Sequence, residues 1–485
     1  MIRKIAYNVP MPYLATILSI VLIAANSWHV ITQWFINKPH EVFTGIAHYY
    51  ADYFLYISQI VKAGHMYTNE NITPTWIYWF YNTLGLLRGN PFALYNASLV
   101  ILSGIVLLLI WKICTKIFPK NTLMAFLFVT TASNFPNFSS GLLGDFWFSP
   151  TPALNRLGGV PHQIFQTILL FSIVIIFTQR NFKFRLIFLA VLSFLSGSGS
   201  PMQMFLLFIA MALYTIISTK KYTDLLIAIP ALLGALLTTH EFSTQPILVL
   251  AKAWEDAQRL AVSPWQYSMA LGPISVLIPF GIRSYIRSLT PLKSIILFYG
   301  TLSLLAFFSP LPSLLHTSAT RWISPASFLL LPLLAAEGFQ RISKFRILQS
   351  LLLVTYLTLT MLSIGIQVQS RSIPLASDPM LKFLNHLPTS YVDGLRAIQN
   401  DKTNGVVLTD PSIPIDIVVP IFTGKKSFTG QSIHTLYPEI KEDLRTKFFS
   451  QKMTSDESKK ILTDHNIKFI ITKKNGVLDI ETVAP

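Results

Sequence analysis

The chain of 485 residues is 52% hydrophobic and only 12% charged, with a mean hydropathy of +0.51, a balance that excludes an ordinary soluble enzyme and indicates a polytopic membrane protein. A single cysteine, Cys114, excludes an internal disulfide and a cysteine-built metal site. The formal charge of +16 does not indicate a nucleic-acid partner, because most basic residues sit in short clusters between apolar spans, where positive-inside topology puts them.

The N-terminus, MIRK, is basic, and the apolar span that follows at 13–35 is too long for the core of a signal peptide and lacks a small-residue cleavage site. It reads as a retained anchor with a cytoplasmic N-terminus. Further spans are expected at 92–111, 123–133, 164–178, 186–196, 202–217, 225–238, 269–286, 295–308, 323–336 and 347–366, about eleven in all. The alternation they imply puts sixteen Lys and Arg residues in short cytoplasmic turns and seven in the longer outer loops at 36–91, 134–161, 239–268 and 309–322. Of nine acids before Ile366, seven fall outside: Glu41, Asp52, Glu70, Asp145, Glu241, Glu255 and Asp256. The polar chemistry of the membrane part is therefore expected on the outer face of a plasma membrane.

After Ile366 the composition becomes that of a soluble segment, with thirteen acids and fifteen bases. Residues 379–387 read as a helix, 405–409 (GVVLT) and 467–472 (IKFIIT) as buried strands, and 439–464 as a helical region broken near Thr454. The expectation is a transmembrane domain over 1–366 and a small extracytoplasmic α/β domain over 367–485.

The first outer loop contains FTGIAHYYADYFLYISQIVKAG at 43–64. On helical spacing, Ile46, Tyr50, Tyr53, Ile57 and Ile60 form one stripe and His48, Asp52, Tyr56 and Gln59 another, which reads as an amphipathic helix on the membrane surface. Read blandly, Asp52 solvates one face of that helix. With His48 and Tyr56 one turn to either side, it is also placed to take a proton from an acceptor hydroxyl.

This arrangement, a first membrane helix followed by an outer loop with a lone acid in Asp52-Tyr53 through Gly64, together with the many spans and the soluble tail, resembles the integral-membrane glycosyltransferases of the GT-C fold. That class includes protein O-mannosyltransferases and lipid A aminoarabinose transferases. The resemblance implies a polyprenyl-phosphate-linked sugar donor, transfer with inversion to a protein, glycan or lipid acceptor, and Asp52 as the catalytic carboxylate. The chain departs from the mannosyltransferases in having Ala51-Asp52 where they show an Asp-Glu pair, and it lacks the oligosaccharyltransferase WWD signature, which disfavours transfer of a whole oligosaccharide to Asn. The run from Gly405 to Thr435 looks like the outer segment of bacterial GT-C-like proteins of unassigned substrate, although its glycines at Gly424 and Gly430 are equally those of turns.

Other polar residues complete the candidate site. Arg321, in LPSLLHTSATRWISP beside His316 and Trp322, has the planar donor fork that suits a lipid phosphate; its alternative is an ordinary interfacial arginine. Arg156 and His162, in the loop that also carries Asp145 and Trp147, are spaced to face one pocket as ligands of phosphate or sugar hydroxyls, or else cap that loop. His240 and Glu241, with Glu255 and Asp256 further along, raise a divalent metal ion as a further candidate, although no second His follows His240 at zincin spacing. Gly197 and Gly199 form a turn rather than a phosphate loop, because no Lys-Ser/Thr ending follows. Asn71-Ile72-Thr73 and Asn137-Phe138-Ser139 match the N-glycosylation pattern, which bears only on a eukaryotic secretory setting.

Two rival readings remain at this stage. A transporter or flippase of a lipid-linked molecule predicts ionisable groups in mid-span and, commonly, inverted repeats, and the sequence shows neither. A catalytically inactive GT-C-like scaffold predicts that Asp52 is dispensable.

Overall fold

The structure, a computed structural model, describes residues 11–46, 50–62, 73–137, 141–142, 153–179, 183–257, 262–323, 326–430 and 435–483. The basic N-terminus, His48, Asp145, Trp147 and the 71–73 sequon, apart from Thr73, lie outside the described residues. Among the described residues, seven helices are long and apolar enough to cross a membrane: Pro12–Trp34, Pro91–Ile117, Pro161–Thr178, Pro201–Ser218, Tyr222–Thr244, Pro291–Phe308 and Arg346–Ser377. A bent pair, Pro264–Val276 and Ile278–Arg287, meets at 70° and makes an eighth if it counts as one span.

The expected total of about eleven is thus not reached by length and composition. The segments expected at 123–133, 186–196 and 323–336 are helices of 10, 15 and 16 residues, Thr122–Thr131, Arg185–Gly199 and Ala326–Arg341. Hydropathy registers apolar helices whether they face lipid or protein. Thr122–Thr131 and Ala326–Arg341 are mostly buried, as expected of helices covered by their neighbours.

The chain divides into two compact units. The first comprises 1–28, 98–240 and 252–370, and the second 29–97, 241–251 and 371–485.

In the first unit, apolar helices pack around a core that includes Phe126, Phe128, Tyr285, Tyr299, Trp322 and Tyr356. The Phe128 ring meets Tyr356 edge to face at 4.7 Å and Phe339 at 5.5 Å. Leu232, Leu233, Leu236 and Leu237 instead point outward, which in water would be costly and in hydrocarbon is neutral. Close helix crossings depend on glycine: a Cβ on Gly281 would stand 1.9 Å from the Leu334 carbonyl oxygen, and one on Gly338 would stand 2.1 Å from that of Leu277. At the end of the helix Pro264–Leu271, before the 70° bend, Gly272 has φ +67 and lies against the Ser133 carbonyl, a conformation and an approach that a side chain would forbid.

Buried charges in this unit are paired near helix ends. Arg185 grips Asp224 through two bonds of 2.7 and 3.0 Å, and Lys293, the third residue of its helix, lies 3.5 Å from Glu337 and over the rings of Phe118 and Tyr285. A polar knot joins distant segments: Ser133 Oγ bonds Ser363 Oγ at 2.7 Å, Gln367 Nε2 donates to Ser133 Oγ at 3.0 Å, and the Leu154 N–H donates to Gln367 Oε1 at 2.9 Å.

The second unit contains a four-stranded sheet in the order Lys426–Ser427, Val406–Thr409, Ile467–Lys474, Val477–Thr482; the first three strands run parallel and the last returns antiparallel through a hairpin. Leu408, Phe428, Ile461, Ile467 and Ile470 form a core on it. The helical region broken near Thr454 is two helices, Pro438–Phe449 and Ser455–Asp464, the second opened by a capping box between Thr454 and Glu457. The expected helix ends at Asn385, and His386–Pro388 pairs with Glu41–Phe43 in an antiparallel ribbon, Val42 opposite Leu387. Thr44 reinforces it, its N–H donating to the Asn385 carbonyl at 3.0 Å and its hydroxyl to that of Leu384 at 2.9 Å. The segment after the first span and the soluble tail therefore fold as one body, whereas the sequence division assigns 36–91 to the membrane domain and begins the soluble one at 367.

Candidate functional site

Asp52 lies in the first turn of the helix Tyr50–Val61, where the N-terminal dipole favours a carboxylate. It is half-buried and close enough to act electrostatically on the Tyr95 phenol. The helix is not amphipathic in its setting, which corrects the expectation of a surface helix: every residue from Tyr53 to Ile60 is buried, including Tyr56 and Gln59 of the expected polar stripe. The reason is the helix Thr75–Gly85. Tyr56 stacks on Tyr81 at 4.5 Å, Tyr81 stacks in turn on Tyr95 at 5.9 Å, and Gln59 Nε2 donates to Thr73 Oγ1 at 2.9 Å. A polar stripe satisfied by protein partners looks the same in sequence as one satisfied by water.

On the other stripe, Tyr53 is fully buried, meets Tyr95 edge to face at 4.8 Å and donates its hydroxyl to the Thr44 carbonyl. Asn96 Nδ2 donates to the Gly45 carbonyl at 3.0 Å and to the Tyr53 hydroxyl oxygen at 3.4 Å. Burial pushes the Tyr53 phenol well above its ordinary value, with the Asn96 bond opposing. Tyr53 is therefore a neutral strut that fixes the backbone on which Asp52 stands.

In the first unit, Arg321 sits in the short helical turn Thr320–Ile323. Its backbone is clamped: Gln203 Nε2 donates to the Arg321 carbonyl at 2.7 Å, Tyr299 donates to Gln203 Oε1 at 2.9 Å, and the fully buried Trp322 donates through Nε1 to Thr317 Oγ1 at 2.8 Å. The side chain reaches outward, 60% exposed, and makes a two-pronged bond to Glu255, Nε to Oε1 at 2.8 Å and Nη2 to Oε2 at 3.1 Å. Burial pushes the Glu255 carboxyl up, but the Arg321 charge, its hydrogen bond and a bond from the Ser318 backbone together hold it below the ordinary value. Next to this pair, His316 Nδ1 lies 3.0 Å from Asp256 Oδ2. His316 has φ +51, in a turn held by the Thr317 N–H on the Pro312 carbonyl at 2.9 Å.

Arg156 donates to the Val129 carbonyl at 2.7 Å and lies 5.1 Å over the Phe328 ring. Burial lowers its guanidinium to about 10, with Tyr356 and Tyr267 opposing, so it remains protonated at neutral pH. Buried His162, the second residue of Pro161–Thr178, lies within electrostatic reach of Arg321.

The metal candidates separate as well. Among the described residues, no three His, Cys, Asp or Glu side chains gather where they could hold a metal ion. Glu241 accepts the Thr75 N–H at 3.0 Å and the Thr75 hydroxyl, which makes it a helix cap. His240 is its exposed neighbour in Ala228–Thr244.

Sequence reasoning weighed Glu255 and Asp256 only as metal ligands and passed over Gln203, Tyr299, Tyr81 and Tyr95. These residues stand 14 to 118 positions from their partners, and no local pattern marks such contacts.

This architecture is that of the integral-membrane GT-C fold. In particular, the chain is similar to the Archaeoglobus fulgidus oligosaccharyltransferase crystallised with zinc and sulfate, with a TM-score of 0.51 and 10% identity over 95% of this chain and 67% of that one. It is likewise similar to ArnT from Cupriavidus metallidurans bound to undecaprenyl phosphate, with a TM-score of 0.50 and 10% identity over 96% of this chain and 97% of that one. No protein-family profile and no curated protein matches the sequence.

Proposed function

We propose that the protein is a glycosyltransferase that moves a sugar from a polyprenyl-phosphate donor to an acceptor on the outer face of a plasma membrane. The observation that carries this reading is Asp52 itself: a half-buried carboxylate in a helix first turn, on a backbone clamped by Tyr53 and Asn96, in the segment that follows the first span of a GT-C fold. In this reading Asp52 takes the proton of the acceptor hydroxyl as its oxygen attacks the anomeric carbon, and the bond from that carbon to the phosphate oxygen breaks with inversion. The lipid phosphate leaves with the bonding pair, and Arg321 stabilises its charge.

Tyr56 contributes by holding the helix. His316 and His162 tune the surroundings of Arg321, and Arg156, whose hydrogen bond and ring contact lie within the first unit, has a supporting part. The distribution of basic residues supports a cytoplasmic N-terminus and an extracytoplasmic second unit. Among the described residues, the buried ion pairs Arg185–Asp224 and Lys293–Glu337 lie near helix ends rather than in mid-span, which counts against a transporter.

The test is native mass spectrometry of the purified protein, combined with glycan profiling of the producing cell envelope. Wild type is expected to carry a polyprenyl phosphate or its sugar conjugate, and Arg321→Ala to lose it. Asp52→Asn is expected to keep the lipid and abolish transfer by at least about 100-fold, the lower range for loss of a general base. Bulk phospholipid alone on every variant, with an unchanged envelope, would sink the reading in favour of an inactive scaffold.

A further inference from the structure

The Arg321 guanidinium already holds an anion, and that anion belongs to the protein. Two donors, Arg321 Nε and Arg321 Nη2, grip the Glu255 carboxylate. This is the donor arrangement that a phosphate oxyanion takes, two prongs from one planar fork. We propose that Glu255 is a built-in competitor for the anion site of Arg321, displaced when a lipid phosphate binds and returning when that phosphate leaves. The inference rests on the donor reading above and adds to it a residue that sets affinity and release.

Three features support exchange over a permanent bond. The Arg321 backbone is clamped by Gln203 and stands beside the buried Trp322, so the base of the side chain keeps its position when its partner changes. Its side chain is 60% exposed, and an ion pair so open to solvent is worth little, which makes it readily exchanged. The acid, in contrast, stands next to the last residue but one of the helix Pro246–Ala257, where the end of a helix frays at small cost.

Asp256 follows Glu255 in the chain and pairs with His316, so two adjacent acids on one short segment engage two side chains of one loop, Arg321 and His316. When that segment moves, both side chains are uncovered together. The anion expected there is a phosphate ester, because two of its oxygens can take both prongs of the Arg321 fork and its charge is at least that of the carboxylate it displaces.

The experiment is equilibrium binding of undecaprenyl phosphate to the full-length protein in detergent micelles, with inorganic phosphate as competitor, for wild type, Glu255→Gln, Glu255→Asp and Arg321→Ala. Removing the internal competitor is expected to tighten binding by about two- to sixfold in Glu255→Gln, the most that so exposed a pair can withhold. Glu255→Asp, a shorter acid that cannot span both prongs, should fall between Gln and wild type, and Arg321→Ala should bind least. If inorganic phosphate binds as tightly as the lipid and gains equally in Glu255→Gln, the site stands with the free ion as its ligand. Unchanged or weaker binding by Glu255→Gln, with Arg321→Ala still deficient, would overturn the competitor and leave the donor reading intact. Absence of lipid-phosphate binding in wild type and every variant would overturn both.

Discussion

Glu241 closes the open end of a helix that begins 166 positions earlier: its carboxylate takes both the backbone N–H and the side-chain hydroxyl of Thr75. The residue preceding that helix is Pro74, which has no capping side chain, so the Thr75 N–H looks to a distant acid. Glu241→Ala should lower stability by about 1 kcal/mol, the ordinary worth of a helix cap, and Glu241→Gln by less. Thermal unfolding of the detergent-solubilised variants measures it, and equal stability of Ala and wild type would refute the capping role.

The stack of Tyr56 on Tyr81 explains why the helix bearing Asp52 is buried on both faces. Tyr56→Phe keeps the ring and should retain most stability and most transfer activity. Tyr56→Ala opens a cavity and should cost about 3–5 kcal/mol, with transfer lost in proportion to unfolding. A Phe variant as inactive as Asp52→Asn would instead show that the hydroxyl takes part in the chemistry.

Arg445 is buried among three partners, donating to Thr429 Oγ1 at 2.7 Å and to Glu442 Oε1 at 2.7 Å and standing 3.5 Å from Asp416. Removing it leaves the Asp416 carboxylate, 17% exposed, without its counter-charge. Arg445→Ala should therefore destabilise the second unit by about 3 kcal/mol or more, whereas Arg445→Met with Asp416→Leu should recover most of the loss. Limited proteolysis near the strand Ile467–Lys474 provides the local readout.

His386 pairs with Phe43 in the ribbon that joins the segment after the first span to the tail, and its Nδ1 lies 3.4 Å from Glu41. Burial holds the imidazole below its ordinary 6.5, with Glu41 opposing the shift and Lys38 and Lys382 adding to it. A depressed folded value means that the unfolded chain binds the proton more readily. The stabilisation is complete above pH 6.5 and is lost as the pH falls below it. The melting temperature should therefore drop between pH 7.5 and about pH 5.5 by more in wild type than in His386→Gln, because imidazole protonation sets this window. Identical slopes would remove His386 from the balance.

Much of the architecture is written in local composition. The span at 13–35 and those at 164–178 and 295–308 reappear as apolar helices within a few residues, and that at 347–366 reappears lengthened to Ser377, because a long apolar stretch has few alternatives. The strands at 405–409 and 467–472 and the break near Thr454 were equally legible, the last because a Thr-x-x-Glu box fixes a helix start by itself. Asp52 could be singled out because acids are scarce around it.

Tertiary structure decided the rest, because each remaining feature depends on which surface meets which. Only packing against Tyr81 and Tyr95 turned the polar stripe of Tyr56 and Gln59 inward, and only the pairing of 41–43 with 386–388 joined the early loop to the tail. The partners of Arg321, Glu241 and Arg445 follow the same rule. A charge declares itself in the sequence, but the group that neutralises it is chosen by the fold, since electrostatic and hydrogen-bond energies depend on distances that chain order does not encode.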